Sequence, residues 1–209
     1  MKHATILGLV AIAAVASMAF IRASTASAAD RLCETATNPC TSPVLVNGII
    51  KAEASDLTFT GDIETTCASS TQTLKVTKND GSVNPTGEVT GLTMSGCKDL
   101  THFDIGCTYT AQNLPWHFEI VTPDPNFTVR AHAGGSAPGW HVVCGGFLSC
   151  TVQRTSFSLP IDVGSPASIT ANVVELEKVA GGGLCPEEAF VDVKWVLESP
   201  TSSVFVTSS

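Results

Sequence analysis

Eight cysteines constrain this chain more than any other feature, because all of them lie between Cys33 and Cys185, beyond an apolar N-terminal segment. That segment opens with Lys2-His3, runs through 17 apolar or small residues from Ala4 to Phe20, and ends in Ala26-Ser27-Ala28. The small-x-small triplet predicts signal peptidase cleavage before Ala29, with residues 1–28 a signal peptide. A run this short and rich in Ala and Gly is a poor membrane anchor, so no membrane insertion is expected after cleavage. An even number of cysteines in an exported chain then reads as four disulfides formed in an oxidising compartment. The shortest spacings pair Cys33 with Cys40 and Cys144 with Cys150, and the next pairs Cys97 with Cys107. Elimination leaves Cys67 with Cys185, a long-range staple that would remove the most entropy from the unfolded chain. No Cys-x2-Cys pair occurs and the spacings do not repeat, so a zinc site is not expected.

The rest of the chain alternates apolar and polar residues, the period of a half-buried strand. Phe103, Ile105, Cys107 and Tyr109 fall on one face, with Asp104, Thr108 and Thr110 on the other. Trp116, Phe118 and Ile120 repeat the pattern, as do Phe127, Val129 and Ala131, and the odd positions from Ala189 to Leu197. Between Ser168 and Val179 the phase changes: Ile169, Ala171 and Val173 are followed by Val174 and Leu176, the shift that one extra residue in a β-bulge would produce. Turn signals separate the runs, the strongest being Asn79-Asp80-Gly81. Thr122 to Asn126, with two prolines, and the loops Gly134–Gly139 and Gly181–Gly183 punctuate the remainder. No segment keeps a helical period. The expected fold is all-β: residues 29–209 as one β-sandwich of about twelve short strands, with Greek-key or meander connections, stabilised by disulfides.

Cleavage takes Lys2 and Arg22 from the 11 basic residues and none of the 19 acidic ones, leaving a formal charge of −10. The basic residues that remain are scattered, which argues against nucleic acid and anionic membrane as partners. Few patterns suggest chemistry. Ser136 sits in Gly134-Gly135-Ser136-Ala137-Pro138, where proline breaks a nucleophile-elbow pattern that also lacks its strand and helix. Glu187-Glu188 follows Cys185-Pro186 and reads as a solvated turn. His102, His117 and His132 would share a polar face with Asp104 and Glu119 if residues 101–132 formed a three-stranded meander. Such a surface could bind a transition metal, but Arg130 beside His117 disfavours a cation and ordinary solvent-facing polarity is the better reading. Trp116 and Trp195 alternate with aliphatic neighbours and read as core, whereas Trp140 follows Pro138-Gly139 and is the one tryptophan expected on an exposed loop. Asn126-Phe127-Thr128 fits a glycosylation acceptor.

Several short segments resemble a group of uncharacterised exported, disulfide-bonded proteins from high-GC soil actinobacteria. They are Leu32-Cys33 with Asn38-Pro39-Cys40, Gly48-Ile49-Ile50-Lys51-Ala52, Gly87-Glu88-Val89-Thr90, Asn113-Leu114-Pro115, and Leu184-Cys185-Pro186 with Ser199-Pro200. The resemblance implies an exported all-β protein and carries no activity or functional residues. No catalytic, metal or cofactor residue is assigned, so Cys33, Cys40, Cys67, Cys97, Cys107, Cys144, Cys150 and Cys185 are the only named sites. The expected role is a non-enzymatic, secreted or cell-envelope protein that binds something or serves structurally, with a carbohydrate or protein of the envelope as partner. The alternatives are a secreted hydrolase whose site is assembled from distant residues, and an inhibitor or interaction module presenting a disulfide-clamped loop such as that between Cys144 and Cys150.

Overall fold

A computed structural model describes residues 31–101, 104–121, 125–164, 166–199 and 203–207. The signal peptide read over residues 1–28 and His102 lie outside them. Among the described residues there are fourteen strands and no helix: β1 (Arg31–Cys33), β2 (Ile49–Gly61), β3 (Thr65–Lys78), β4 (Thr86–Ser95), β5 (Cys97–Asp99), β6 (Ile105–Gln112), β7 (Trp116–Val121), β8 (Asn126–Ala131), β9 (Gly139–Cys144), β10 (Leu148–Gln153), β11 (Ser156–Asp162), β12 (Ser168–Gly181), β13 (Glu188–Glu198) and β14 (Phe205–Thr207). Twelve share one antiparallel sheet, while β1 and β14 pair separately. The all-β architecture expected from the alternation is present, although β2, β3, β12 and β13 are long, at 13, 14, 14 and 11 residues.

Those four long strands form a central layer in the order β3-β2-β13-β12. Each of its edges is lined by a strand that breaks midway. Along β3, β4 pairs with Ser69–Lys78 and β5 with Thr65 and Thr66, in one shared register interrupted at Gly96. Gly96 has φ +62°, and a Cβ there would meet the Ala68 side chain at 2.9 Å, so the break needs glycine. Along β12, β10 pairs with the C-terminal end and β11 with the start, separated at Arg154-Thr155. Two further pairs then close the sheet on itself twice. The β6–β9 pair joins β5 to β10, and the β7–β8 pair joins β4 to β11. The result resembles a sandwich whose two edges are joined, although Ser156–Pro160 of β11 have no ladder partner on β12 and Thr90–Ser95 of β4 have none on β7. All four connections between the two rings, at Gly96, 113–115, 132–138 and 154–155, cross one waist.

Bulges let the long strands serve both halves. In β2 the buried positions are Ile50 and Ala52, then Leu57 and Phe59, so the inward parity switches at Asp56, which has φ +56°. In β12 they are Ile169 and Ala171, then Leu176, with the switch at Val173 (φ +53°), where the register against β13 slips between Ala171 and Val174. The bulge read from the sequence is therefore real. β13 keeps one parity from Ala189 to Leu197, and a single buried core runs through both halves.

Three expectations are corrected here. Four disulfides form, but only Cys33–Cys40 has the partner expected from spacing; the others are Cys67–Cys97, Cys107–Cys144 and Cys150–Cys185. Cys144–Cys150 and Cys97–Cys107 do not exist, because the ring bridges link neighbouring hairpins rather than the two arms of one, and Cys67–Cys185 does not exist because Cys67 bonds Cys97, opposite it on β5. The meander over 101–132 is broken: β6 pairs with β5 and β9, and β7 with β4 and β8. Asn113, at φ 62°, turns the chain across the waist between them. Trp140 is in β9 and is 5% exposed, so it is core rather than loop. Its ring makes edge contact with Trp116 and Phe59 and stacks on Phe157, sealing the waist from inside. Trp116 and Trp195 are buried as expected.

Candidate functional site: a ring of four clamped hairpins

One end of the molecule is built entirely from turns. The β2–β3, β5–β6, β9–β10 and β12–β13 connections all emerge there, because the first ring runs β10-β9, β6-β5, β3-β2, β13-β12 around its axis. Each of three disulfides joins neighbours in this ring. Cys67–Cys97 links the first hairpin to the second, Cys107–Cys144 the second to the third, and Cys150–Cys185 the third to the fourth. The remaining boundary, between the fourth hairpin and the first, is the β13–β2 ladder. Hydrogen bonds between turns add to the clamp: Leu100 N–H donates to the Glu64 carbonyl at 2.8 Å, and Gly145 N–H to that of Gly106 at 3.1 Å.

This end presents apolar side chains to solvent. Phe147, in the three-residue turn Gly145-Gly146-Phe147 between β9 and β10, is 61% exposed, and Leu184, beside Cys185, is 66% exposed. Leu100, on the β5–β6 turn, is 48% exposed. The arms flanking Phe147 carry Cys144 and Cys150, each bonded outward to a different neighbour, so the tip is held from both sides. Asp62, Glu64, Asp104, Glu187 and Glu188 surround these residues and are exposed. Lys98 pairs with Asp104 at 2.8 Å, and Lys178 with Glu187. Beneath the ring lies Tyr109, stacked on Phe59 with ring centroids 4.5 Å apart; burial pushes its phenol well above the usual tyrosine range, so it stays a neutral hydroxyl.

Elsewhere the molecule offers small hollows. The waist encloses a cavity of about 20 Å³ lined by Trp116, Trp140, Trp195, Phe157, Met94 and Gln72, space for one water and no more. Among the described residues the buried Trp140 Nε1 finds no hydrogen-bond partner. Outside it, where β11 stands away from β12, is a groove of about 310 Å³ lined by Arg154, Ser156, Ser158, Val173 and Glu175. Its guanidinium is committed, donating to the Ser156 and Glu175 carbonyls at 3.2 and 2.7 Å.

His117 and His132 do lie on one face, the outer side of β4-β7-β8. His117 sits between Glu88 and Arg130 in the cross-strand row, and His132 Nδ1 is 3.8 Å from Glu88. Partial burial, and then the Arg130 charge, hold His117 below the ordinary histidine range. Among the described residues no three His, Cys, Asp or Glu side chains converge on a metal-holding geometry. Ser136 is exposed in the loop before β9; Glu187 is exposed on the turn, and Glu188, also exposed, opens β13 opposite Glu177. A Ser/His pair not legible in the sequence lies on the outer face of β9–β10, where His141 Nε2 is 3.0 Å from Ser149 Oγ. His141 has no second partner among the described residues to orient its ring, as a nucleophile's base requires. No known protein family, curated protein or solved structure matches the chain.

Proposed function

We propose that this is an exported, non-enzymatic binding protein of the extracellular space or cell envelope, and that the clamped hairpin ring is its contact surface. One observation carries the reading: three disulfides, each between neighbouring hairpins, rigidify the end at which Phe147 and Leu184 stand exposed. An exposed aromatic on a stiff turn loses little conformational entropy on binding and suits the anchor role that aromatic residues play at protein interfaces. A protein partner is favoured over a sugar, because the burial of Trp140 removes the aromatic platform that a sugar ring would stack on. Four intramolecular disulfides fit the oxidising setting that the leader implies.

The test is site-directed photo-crosslinking on intact producer cells, with a benzophenone amino acid at position 147 and, as control, at exposed Thr77 in the other half. A discrete adduct at 147, lost when Leu184 is changed to Asp, is expected. Equal adducts at both positions, or none at 147, would refute the assignment.

A further inference from the structure

Four of the eight cysteines stand in a single row across four adjacent strands. The β3–β5 register sets Thr65 opposite Asp99 and Thr66 opposite Lys98, which places Cys67 opposite Cys97. Cys97 is opposite Cys107 across β5–β6, and Cys107 is opposite Cys144 across β6–β9. Directly opposed residues in an antiparallel pair project to the same face with Cβ atoms about 4.5–5.5 Å apart. All four sulfurs therefore lie along one inward line, bonded as Cys67–Cys97 and Cys107–Cys144, with Cys97 and Cys107 as unbonded neighbours between the two bridges. Cys67, Cys97 and Cys144 are buried, at 1%, 6% and 0% exposure, whereas Cys107 is partly exposed.

We propose that this row is a two-state redox switch: on two-electron reduction the bridge pattern shifts inward, so that Cys97–Cys107 forms and Cys67 and Cys144 become the thiols. The reductant is an external dithiol, and it acts at Cys107, the one partly exposed residue of the row. One of its thiolates attacks Cys107 Sγ, breaking the bond to Cys144, whose sulfur leaves as thiolate and takes up a proton. The second thiol then resolves the mixed disulfide, leaving the reagent oxidised and Cys107 as a thiol. Cys107, as thiolate, next attacks Cys97 Sγ; the Cys97–Cys107 bond forms, the Cys67–Cys97 bond breaks, and Cys67 leaves and is protonated. The exchange itself consumes nothing, and the net change is two electrons and two protons.

The mechanical consequence follows from which hairpins each bridge joins. Cys67–Cys97 and Cys107–Cys144 tie the β5–β6 hairpin to its two neighbours, whereas Cys97–Cys107 ties that hairpin only to itself. The shift would release the second hairpin from the ring on both sides while Cys150–Cys185 still holds the third to the fourth. That consequence matters for binding only if the ring is the contact surface; the exchange itself does not depend on that reading.

The experiment titrates the full, oxidised protein with dithiothreitol, traps thiols in acid with N-ethylmaleimide, and maps them by peptide mass spectrometry. Within the row, the species bearing two labels should carry them on Cys67 and Cys144. Labels on Cys107 with Cys144, or on Cys67 with Cys97, would overturn the proposal, and so would loss of both row bridges with no two-label species. A second measurement uses Cys67→Ser with Cys144→Ser in one variant: its oxidised form should have no free thiol and a Cys97–Cys107 bond, and two free thiols at those positions in folded protein would count against it. Photo-crosslinking at Phe147 stands apart, so a failed exchange and a failed binding surface are told apart.

Discussion

The two closed halves of this protein share four strands and are held together by different means. In the turn-ring half the eight strands carry three disulfides, and the interior is lined by Leu57, Phe59, Tyr109, Val142, Leu148 and Leu176. In the other half none of the ring strands' own upper segments is bridged, and the interior is denser in large side chains: Trp116, Phe118, Ile120, Phe127, Ile169 and Trp195. Phe118 and Phe127 stack there at 5.1 Å, and β1 and β14 with the Cys33–Cys40 loop cap the end. Covalent constraint acts on the unfolded chain and asks little of the interior, so it can hold an end whose side chains face solvent; packing must bury what it uses. The clamped half is thus the one free to leave Phe147 and Leu184 outside.

Full reduction should separate the halves most sharply. The ring bridges close loops of 30, 37 and 35 residues, each assigned about 3–4 kcal/mol by the chain-entropy model. Domain stability as a whole is about 5–15 kcal/mol, so losing all of them should leave the chain barely folded. Under mild reduction, amides of β5, β6, β9 and β10 should exchange before those of β7 and β8. Simultaneous loss would mean that the single core makes the halves one cooperative unit.

Cutting the packed half comes next. Phe118→Ala, at a position 1% exposed, should cost about 3–5 kcal/mol in denaturant unfolding. Below it stand single bridges: Cys107→Ser with Cys144→Ser should cost about 3–4 kcal/mol, against about 2 for Cys33→Ser with Cys40→Ser, whose separation is 7 residues. Reversal of that order would show that the small cap, not the ring, is the staple. Asn79→Ala is smaller again. Its buried amide accepts from Leu32 N–H and donates to the Leu32 and Val44 carbonyls at 2.8 and 2.9 Å, so its loss should cost about 1–3 kcal/mol and loosen β1.

Much of this architecture is legible in the sequence, and the illegible parts share a cause. Alternation reports which face a residue occupies, so the core positions of β7, β8 and β13 and the bulge near Val173 can be read directly. It says nothing about which strand lies alongside. Cys97 and Cys107 do oppose each other as their spacing suggests, yet each bonds to the strand on its other side, and only the ladder reveals that choice. Asn79-Asp80-Gly81 does turn β3 into β4, but the loop extends from 79 to 85 because Asn79 is spent on clamping Leu32 and Val44. Gly139 misleads in another way. Beside Pro138 it looks like loop punctuation, but it opens β9, where a Cβ would sit 2.4 Å from the Val152 carbonyl oxygen; it is there for close approach, and it carries Trp140 into the core. The hairpin ring has no local signature at all, since its four turns begin 37 to 45 positions apart in sequence and meet only through the closed sheet.

The smallest expected effect lies on the packed half's outer face. His117 borders Arg130, Glu119, Glu88 and His132, and burial followed by the Arg130 charge lowers its affinity for protons in the folded state. The unfolded chain, with histidine near its ordinary value of 6.5, therefore binds more protons over the interval just below that value. Where the unfolded state binds more protons, stability rises with pH. His117 should thus contribute in full above about pH 6.5, and that contribution should fade as pH drops through the folded-state value. Because the ring is only partly buried and its charged neighbours are screened by solvent, the change should be small beside any core or bridge substitution. It is measured as the difference in urea midpoint between pH 7.5 and 5.5 for wild type and His117→Gln. The variant should show the shallower dependence. An unchanged slope would mean that Glu88 and Glu119, which favour the charged ring, offset the burial, and that the carboxylates rather than Arg130 set the electrostatics of this face.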